Sequence, residues 1–133
     1  PKQLLAAGAM AFSETASQFE ARWRSMVSLK PGAPALLDEC AAGGRVFLWS
    51  NIDPVHLDAL GLTRFSRGTS FSLGATKPDV RFYRRGLLVA GGAASEVRFF
   101  DDRTENVAMA LRLGIEAEMC LEGPAELRQR LFA

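Results

Sequence analysis

Three short stretches of this 133-residue chain carry side chains suited to a small charged ligand. Ser50-Asn51 sets a hydroxyl beside a carboxamide. Gly74-x-x-Lys77-Pro78-Asp79 puts an ammonium in a turn, and Asp101-Asp102-x-x-x-Asn106 sets two adjacent carboxylates ahead of an amide. Each also has an ordinary reading in isolation. Ser50-Asn51 reads as a plain turn, Lys77 as a solvated lysine before proline, and Asp102-x-x-Glu105 as an N-cap with its box partner. It is their combination and order that is specific. Lys77 gains weight because Lys2 and Lys30 are the only other lysines.

These groups need elements to hold them. Arg45 to Trp49 is a β-branched and aromatic run too short for a buried helix, and it reads as a buried parallel strand ending at Ser50-Asn51. Glu96 to Phe100 reads the same way and ends in Asp101-Asp102. Further strands are expected near Arg67 to Phe71 and at Glu116 to Leu121. Helix signals lie between them. Ser13 is a candidate N-cap for a helix reaching about Leu29, with Phe19, Trp23 and Met26 on one face. Others run from Ala35 to Ala42, from Asp53-Pro54 to Leu60, from Lys77-Pro78-Asp79 through Phe82 and Tyr83, from Asn106 to Leu113, and from Ala125 to Leu131. Alternating strands and helices specify an α/β doubly wound domain with a parallel sheet, and such folds bind ligands at the carboxyl ends of strands. Ser50, Asn51, Asp101 and Asp102 all fall at such ends. The break Lys30-Pro31-Gly32-Ala33-Pro34 separates a helical piece, residues 1–29, from the α/β part, residues 30–133. His56, the sole histidine, reads as a helix-surface residue, and Trp23 with Phe19 as a packing face.

Composition narrows the function classes. At 48% hydrophobic and 23% charged residues the chain is an ordinary globular domain, and its net charge of +1 comes from interspersed signs. Nothing favours nucleic acid or an anionic membrane surface as partner. No apolar run approaches the roughly 18 to 20 residues that span a bilayer. Cys40 and Cys120 lack CxxC spacing and read as reduced, buried thiols in a reducing compartment, from which a cytoplasmic location is expected.

The three motifs, in this order, resemble the second, third and fourth motifs of the haloacid-dehalogenase (HAD) superfamily, over roughly residues 31–121. Residues 50–56, 77–83 and 100–110 are most similar to the subfamily IA branch of sugar-phosphate phosphatases and the phosphatase domain of soluble epoxide hydrolases. The dehalogenases proper are less similar around Ser50. The resemblance implies a Rossmann-like three-layer core with a parallel sheet, preceded by part of a helical cap in residues 1–29. It also implies magnesium-dependent hydrolysis of a small phosphate monoester, a phosphorylated metabolite, through an aspartyl-phosphate. On that pattern Ser50 donates a hydrogen bond to a phosphoryl oxygen, helped by backbone N–H groups at Asn51 and beyond, and Lys77 brings its ammonium to the same oxygens. Asp102 falls at the direct Mg2+ ligand, Asp101 in a supporting position, and Asn106 where it orients ligands or water from behind them.

One part of the pattern is absent. The superfamily's first motif, an apolar strand ending in Asp-x-Asp, has no counterpart, and the sequence contains no Asp-x-Asp triplet. Upstream of Arg45 the carboxylates are Glu14, Glu20, Asp38 and Glu39, all in helical contexts. By the resemblance the missing nucleophile strand lies in the middle of the sheet, between the strands ending at Ser50 and at Asp101. Two accounts compete: a fragment of a complete enzyme, and a catalytically inactive relative that binds without turnover. The opening Pro1-Lys2 without a methionine and the partial cap favour the fragment.

Overall fold

In chain order the elements are α1 (Ala16–Ser25), α2 (Ala33–Gly43), β1 (Leu48–Ser50), α3 (Pro54–Ala59), β2 (Arg67–Thr69), α4 (Ser70–Leu73), α5 (Val80–Ala90), β3 (Arg98–Asp101), α6 (Thr104–Arg112), β4 (Glu116–Met119) and α7 (Pro124–Phe132). This computed structural model describes Lys2, Leu5, Ala9, Met10 and residues 14–132, so the cap expected at Ser13 lies outside the described residues. Among the described residues Thr15 caps α1. Its hydroxyl accepts from the Gln18 backbone N–H at 3.2 Å, and the Gln18 side chain accepts from the Thr15 N–H at 2.9 Å. Two compact units form, Pro1–Leu29 with Ile52–Arg64, and Lys30–Asn51 with Phe65–Ala133.

In the first unit α1 packs on α3, so residues 52–64, grouped with residues 30–133 from sequence, associate with the N-terminal helix. Local capping starts α3: Asp53 Oδ1 accepts from the backbone N–H groups of Val55 (2.9 Å) and His56 (3.0 Å). The second carboxylate oxygen accepts from the Trp23 indole N–H at 3.3 Å and lies 2.8 Å from His56 Nδ1. His56 Nε2 is 2.8 Å from the Trp23 carbonyl oxygen, and its ring stacks on Trp23 at 4.8 Å. His56 is thus not a surface residue but a junction between two helices, its side chain only 13% exposed.

The second unit carries the α/β architecture. β1 and β2 pair in parallel, with Trp49 opposite Gly68 and Ser50 opposite Thr69. β3 and β4 do the same, from Arg98 opposite Glu116 to Asp101 opposite Met119. These are two separate two-stranded sheets, and among the described residues no strand joins them. The helix over Ser70–Leu73 replaces the expected extension of β2 to Phe71. The Thr69 N–H and hydroxyl both bond to Ser72 Oγ, at 3.1 and 2.9 Å, which turns the chain just after the strand. Side chains hold the two parallel pairs together. Leu73, Phe82, Tyr83, Phe99, Ala110 and Ile115 form a buried cluster, with Trp49 packed against it. Trp49 on β1 meets Phe99 on β3 at 5.8 Å between ring centroids, and meets Phe82 and Tyr83 edge-on at 6.3 and 6.1 Å.

The Trp49 indole fits because two facing residues lack side chains. A Cβ at Gly86 would stand 2.9 Å from Trp49 Cε2, and one at Gly68 would stand 3.3 Å from Cδ1. Gly86→Ala is therefore expected to cost about 1–3 kcal/mol in overpacking, outweighing the roughly 1 kcal/mol of helix propensity that alanine gains. Gly43→Ala, in a helix with open space around it, should be neutral or stabilising. Thermal denaturation of both variants checks this. Equal melting temperatures would mean that the indole is not wedged.

Candidate functional site

The site grows from the turn between α4 and α5. α4 stops at Gly74, whose φ of +62° suits glycine. Arg85 on α5 reaches back to donate to the carbonyls of Leu73 (2.5 Å) and Gly74 (3.2 Å). At the other end, Asp79 caps α5 by accepting from the Arg81 N–H at 2.8 Å. Between these anchors sits Lys77, followed by a cis bond to Pro78.

Two strand ends meet at Lys77. Asn51, just past β1, accepts from the Lys77 backbone N–H through Oδ1 (2.7 Å) and donates from Nδ2 to the Lys77 carbonyl (3.0 Å). The Lys77 side chain runs to the end of β3, where its ammonium lies 2.5 Å from Asp101 Oδ2 and 5.5 Å above the Phe99 ring. Both members of the ion pair are buried, with side chains 10% and 6% exposed. The other Asp101 oxygen accepts from Asn106 Nδ2 and from the Arg103 backbone N–H, each at 2.9 Å. Asn106 is itself held from behind, since its carbonyl accepts from the Tyr83 hydroxyl at 2.9 Å.

The charge states follow. Burial pushes the Asp101 carboxyl upward, but hydrogen bonds from Lys77 and Asn106, then the Lys77 charge and the Arg103 N–H, more than offset it, so Asp101 is held below the ordinary carboxylate range. Burial, with Asp101 and Glu105 nearby, pushes the Tyr83 phenol upward and keeps it a neutral donor. Asn106 Oδ1 is a buried acceptor with no partner among the described residues.

The structure brings Asn51, Lys77, Asp101 and Asn106 into one network, with Ser50 adjacent to Asn51 at the end of β1. Ser50 and Asp102 make no side-chain hydrogen bond among the described residues, and Asp102 is exposed beside Asp101, whose two oxygens accept three hydrogen bonds. No group of three His, Cys, Asp or Glu side chains able to hold a metal forms among the described residues. Among the described residues at this strand end, Asp102 is the carboxylate without a side-chain partner, which fits a Mg2+ ion that takes one or two carboxylates and completes its octahedron with water and substrate phosphate. Tyr83 and Arg85 were not singled out from sequence. Tyr83 is the only tyrosine, and a buried phenol needs a polar partner, which was the available signal.

Because Asp101 lies low when folded, its ionised form contributes stability above the ordinary carboxylate range, and that contribution is lost as pH falls from about 4 through the folded value. Lys77→Met removes the ammonium and leaves a buried carboxylate, typically a loss of about 3–5 kcal/mol. The difference between wild type and Lys77→Met should be largest near neutral pH and shrink below about pH 4. Urea denaturation across that range measures it, and a pH-independent difference would contradict the ion pair.

No family model matches the sequence. The fold does match solved structures. Three crystal structures of a HAD family enzyme from Bacteroides thetaiotaomicron superpose with TM-scores of 0.79, 0.73 and 0.68, at 21%, 23% and 24% identity. The first is an aspartate-to-alanine variant in complex with magnesium and inorganic phosphate. It matches over 100% of this chain and 75% of the enzyme. The others match over 90% and 82% of this chain but only 64% and 62% of the enzyme, less than two thirds of its length. At such identities the likeness is one of fold: the chain has the α/β, Rossmann-like fold of HAD enzymes, with parallel strands.

Proposed function

We propose that this chain is the phosphoryl-binding core of a magnesium-dependent HAD-type phosphohydrolase, akin to the sugar-phosphate phosphatases of subfamily IA, acting on a small phosphate monoester. The observation that carries this is the buried Lys77–Asp101–Asn106 network, set at the ends of β1 and β3, with Ser50 the last residue of β1 and the exposed Asp102 next after β3. A structural neighbour crystallised with magnesium and inorganic phosphate supports it. In this proposal the core lies within residues 30–133, without residues 52–64, which group with residues 1–29 as part of a helical cap. A cytoplasmic setting accords with the free thiols of Cys40 and Cys120.

Phosphoryl transfer asks mainly for positioning and charge neutralisation, because the group carries negative charge throughout. Lys77 supplies a fixed cation, and Asp101 holds it in place while staying ionised. Ser50 donates its hydroxyl to a phosphoryl oxygen, and backbone N–H groups from Asn51 onward add to it. Asp102 would hold Mg2+ together with the substrate phosphate, and the ion would supply further charge neutralisation. The step that this chain's residues do not provide is nucleophilic attack. With no Asp-x-Asp in the sequence, the aspartyl-phosphate requires a carboxylate that the resemblance assigns to a strand between β1 and β3. The same absence favours the second reading, a binding domain without turnover.

Calorimetric titration with inorganic phosphate, with and without magnesium, tests the proposal. Phosphate should bind more tightly with magnesium. Lys77→Ala should weaken it about 10- to 100-fold, the loss of one charged hydrogen bond. Asp102→Asn should remove most of the magnesium enhancement. An unchanged enhancement would return Asp102 to the role of a plain residue before a helix. Incubation with an aryl phosphate should release no phenol, and release would mean that another side chain attacks.

A further inference from the structure

We infer that the Asn51 side chain is a positioning residue: it grips the Lys77 backbone, thereby placing the Lys77 ammonium, and makes no contact of its own with the phosphoryl group. The role rests on the phosphoryl-binding site proposed above. A carboxamide has one acceptor oxygen and a nitrogen with two N–H donors, and here Oδ1 accepts from the Lys77 N–H at 2.7 Å while one Nδ2 hydrogen goes to the Lys77 carbonyl at 3.0 Å. Two bonds to the two faces of one residue restrain both its translation and its rotation, as a rung of a β-ladder does.

Lysine needs such restraint. Its side chain is long and flexible, with about 2 kcal/mol of rotamer entropy to lose. Lys77 is fixed at the far end by Asp101 at 2.5 Å, with its stem buried and its ammonium over Phe99. At the near end the turn is tied back to α5 by Arg85 and Asp79. Asn51 ties the turn to the end of β1, the strand that carries Ser50. The clamp thus sets the distance between the hydroxyl at one strand end and the ammonium at the other. Asn51 Oδ1, as an acceptor already in use, has nothing to offer a phosphoryl oxygen. One Nδ2 hydrogen is left over, so a direct contact has to be separated from an indirect one by experiment.

A double-mutant cycle does this, with inorganic phosphate in the presence of magnesium as the probe and its Kd as the readout. Asn51→Ala should weaken binding about fivefold, the worth of a neutral hydrogen bond or two, and no more than Lys77→Ala does. The double variant should bind as Lys77→Ala alone, within about twofold, because Asn51 has nothing to act through once the ammonium is gone. If the two losses multiply, Asn51 touches phosphate itself and the positioning role is overturned. Amide hydrogen exchange at Lys77 supplies a readout independent of phosphate. The Lys77 N–H should exchange faster in Asn51→Ala than in wild type, and an unchanged rate overturns the clamp. Unchanged phosphate affinity in Lys77→Ala would instead overturn the phosphoryl-binding site, and with it the functional role of Asn51. The exchange rate separates that failure from a failure of the clamp.

Discussion

The buried ion pair between Lys77 and Asp101 is the interaction on which the rest of the site depends. A buried pair is a poor source of stability, because taking both ions out of water costs nearly what their attraction returns. What it supplies is placement. Asp101 spends one oxygen on Lys77 and the other on Asn106 and the Arg103 N–H. Three of its acceptor positions are thus committed inside the protein, whereas its neighbour Asp102 is exposed and uncommitted. Two adjacent residues of identical chemistry are thereby separated into a holder of the cation and a carboxylate left for other work.

The pair has a mechanical consequence as well. β1 with β2 and β3 with β4 are joined within each pair by backbone hydrogen bonds, but not to each other. Across the join, cohesion comes from the Trp49, Phe82, Tyr83 and Phe99 rings, from the Asn51 hydrogen bonds and from the ion pair. Apolar packing is non-directional and tolerates sliding, whereas a short charged contact and a two-point carboxamide contact fix a register. The polar residues of the site therefore also align the two strand ends that carry them.

Much of this was legible in the sequence where the cause is local. Asp53-Pro54 and Asp79 are helix caps because their side chains bond N–H groups two or three residues on, and such bonds leave a pattern in the chain. The three motifs were legible as a set, although composition alone could not assign their roles. What stayed hidden depends on distant partners. His56 is a junction because Trp23, 33 residues away, offers it a carbonyl and a stacking face. The strand expected from Arg45 shortens to Leu48–Ser50 because its partner extends only over Arg67–Thr69. Phe71, an aromatic in an apparent strand, is helical because Ser72 captures the Thr69 polar groups.

The central claim is that Lys77 lies where a phosphoryl group binds, and the scarcity of lysine makes this directly measurable. Selective carbon-13 labelling of lysine gives side-chain signals from Lys2, Lys30 and Lys77 alone. Titration with inorganic phosphate in the presence of magnesium should shift the Lys77 signal in a saturable way, while those of Lys2 and Lys30 stay in place. Equal, non-saturating shifts at all three lysines, or movement of Lys2 or Lys30 with Lys77 unmoved, would contradict a phosphoryl site at the strand ends.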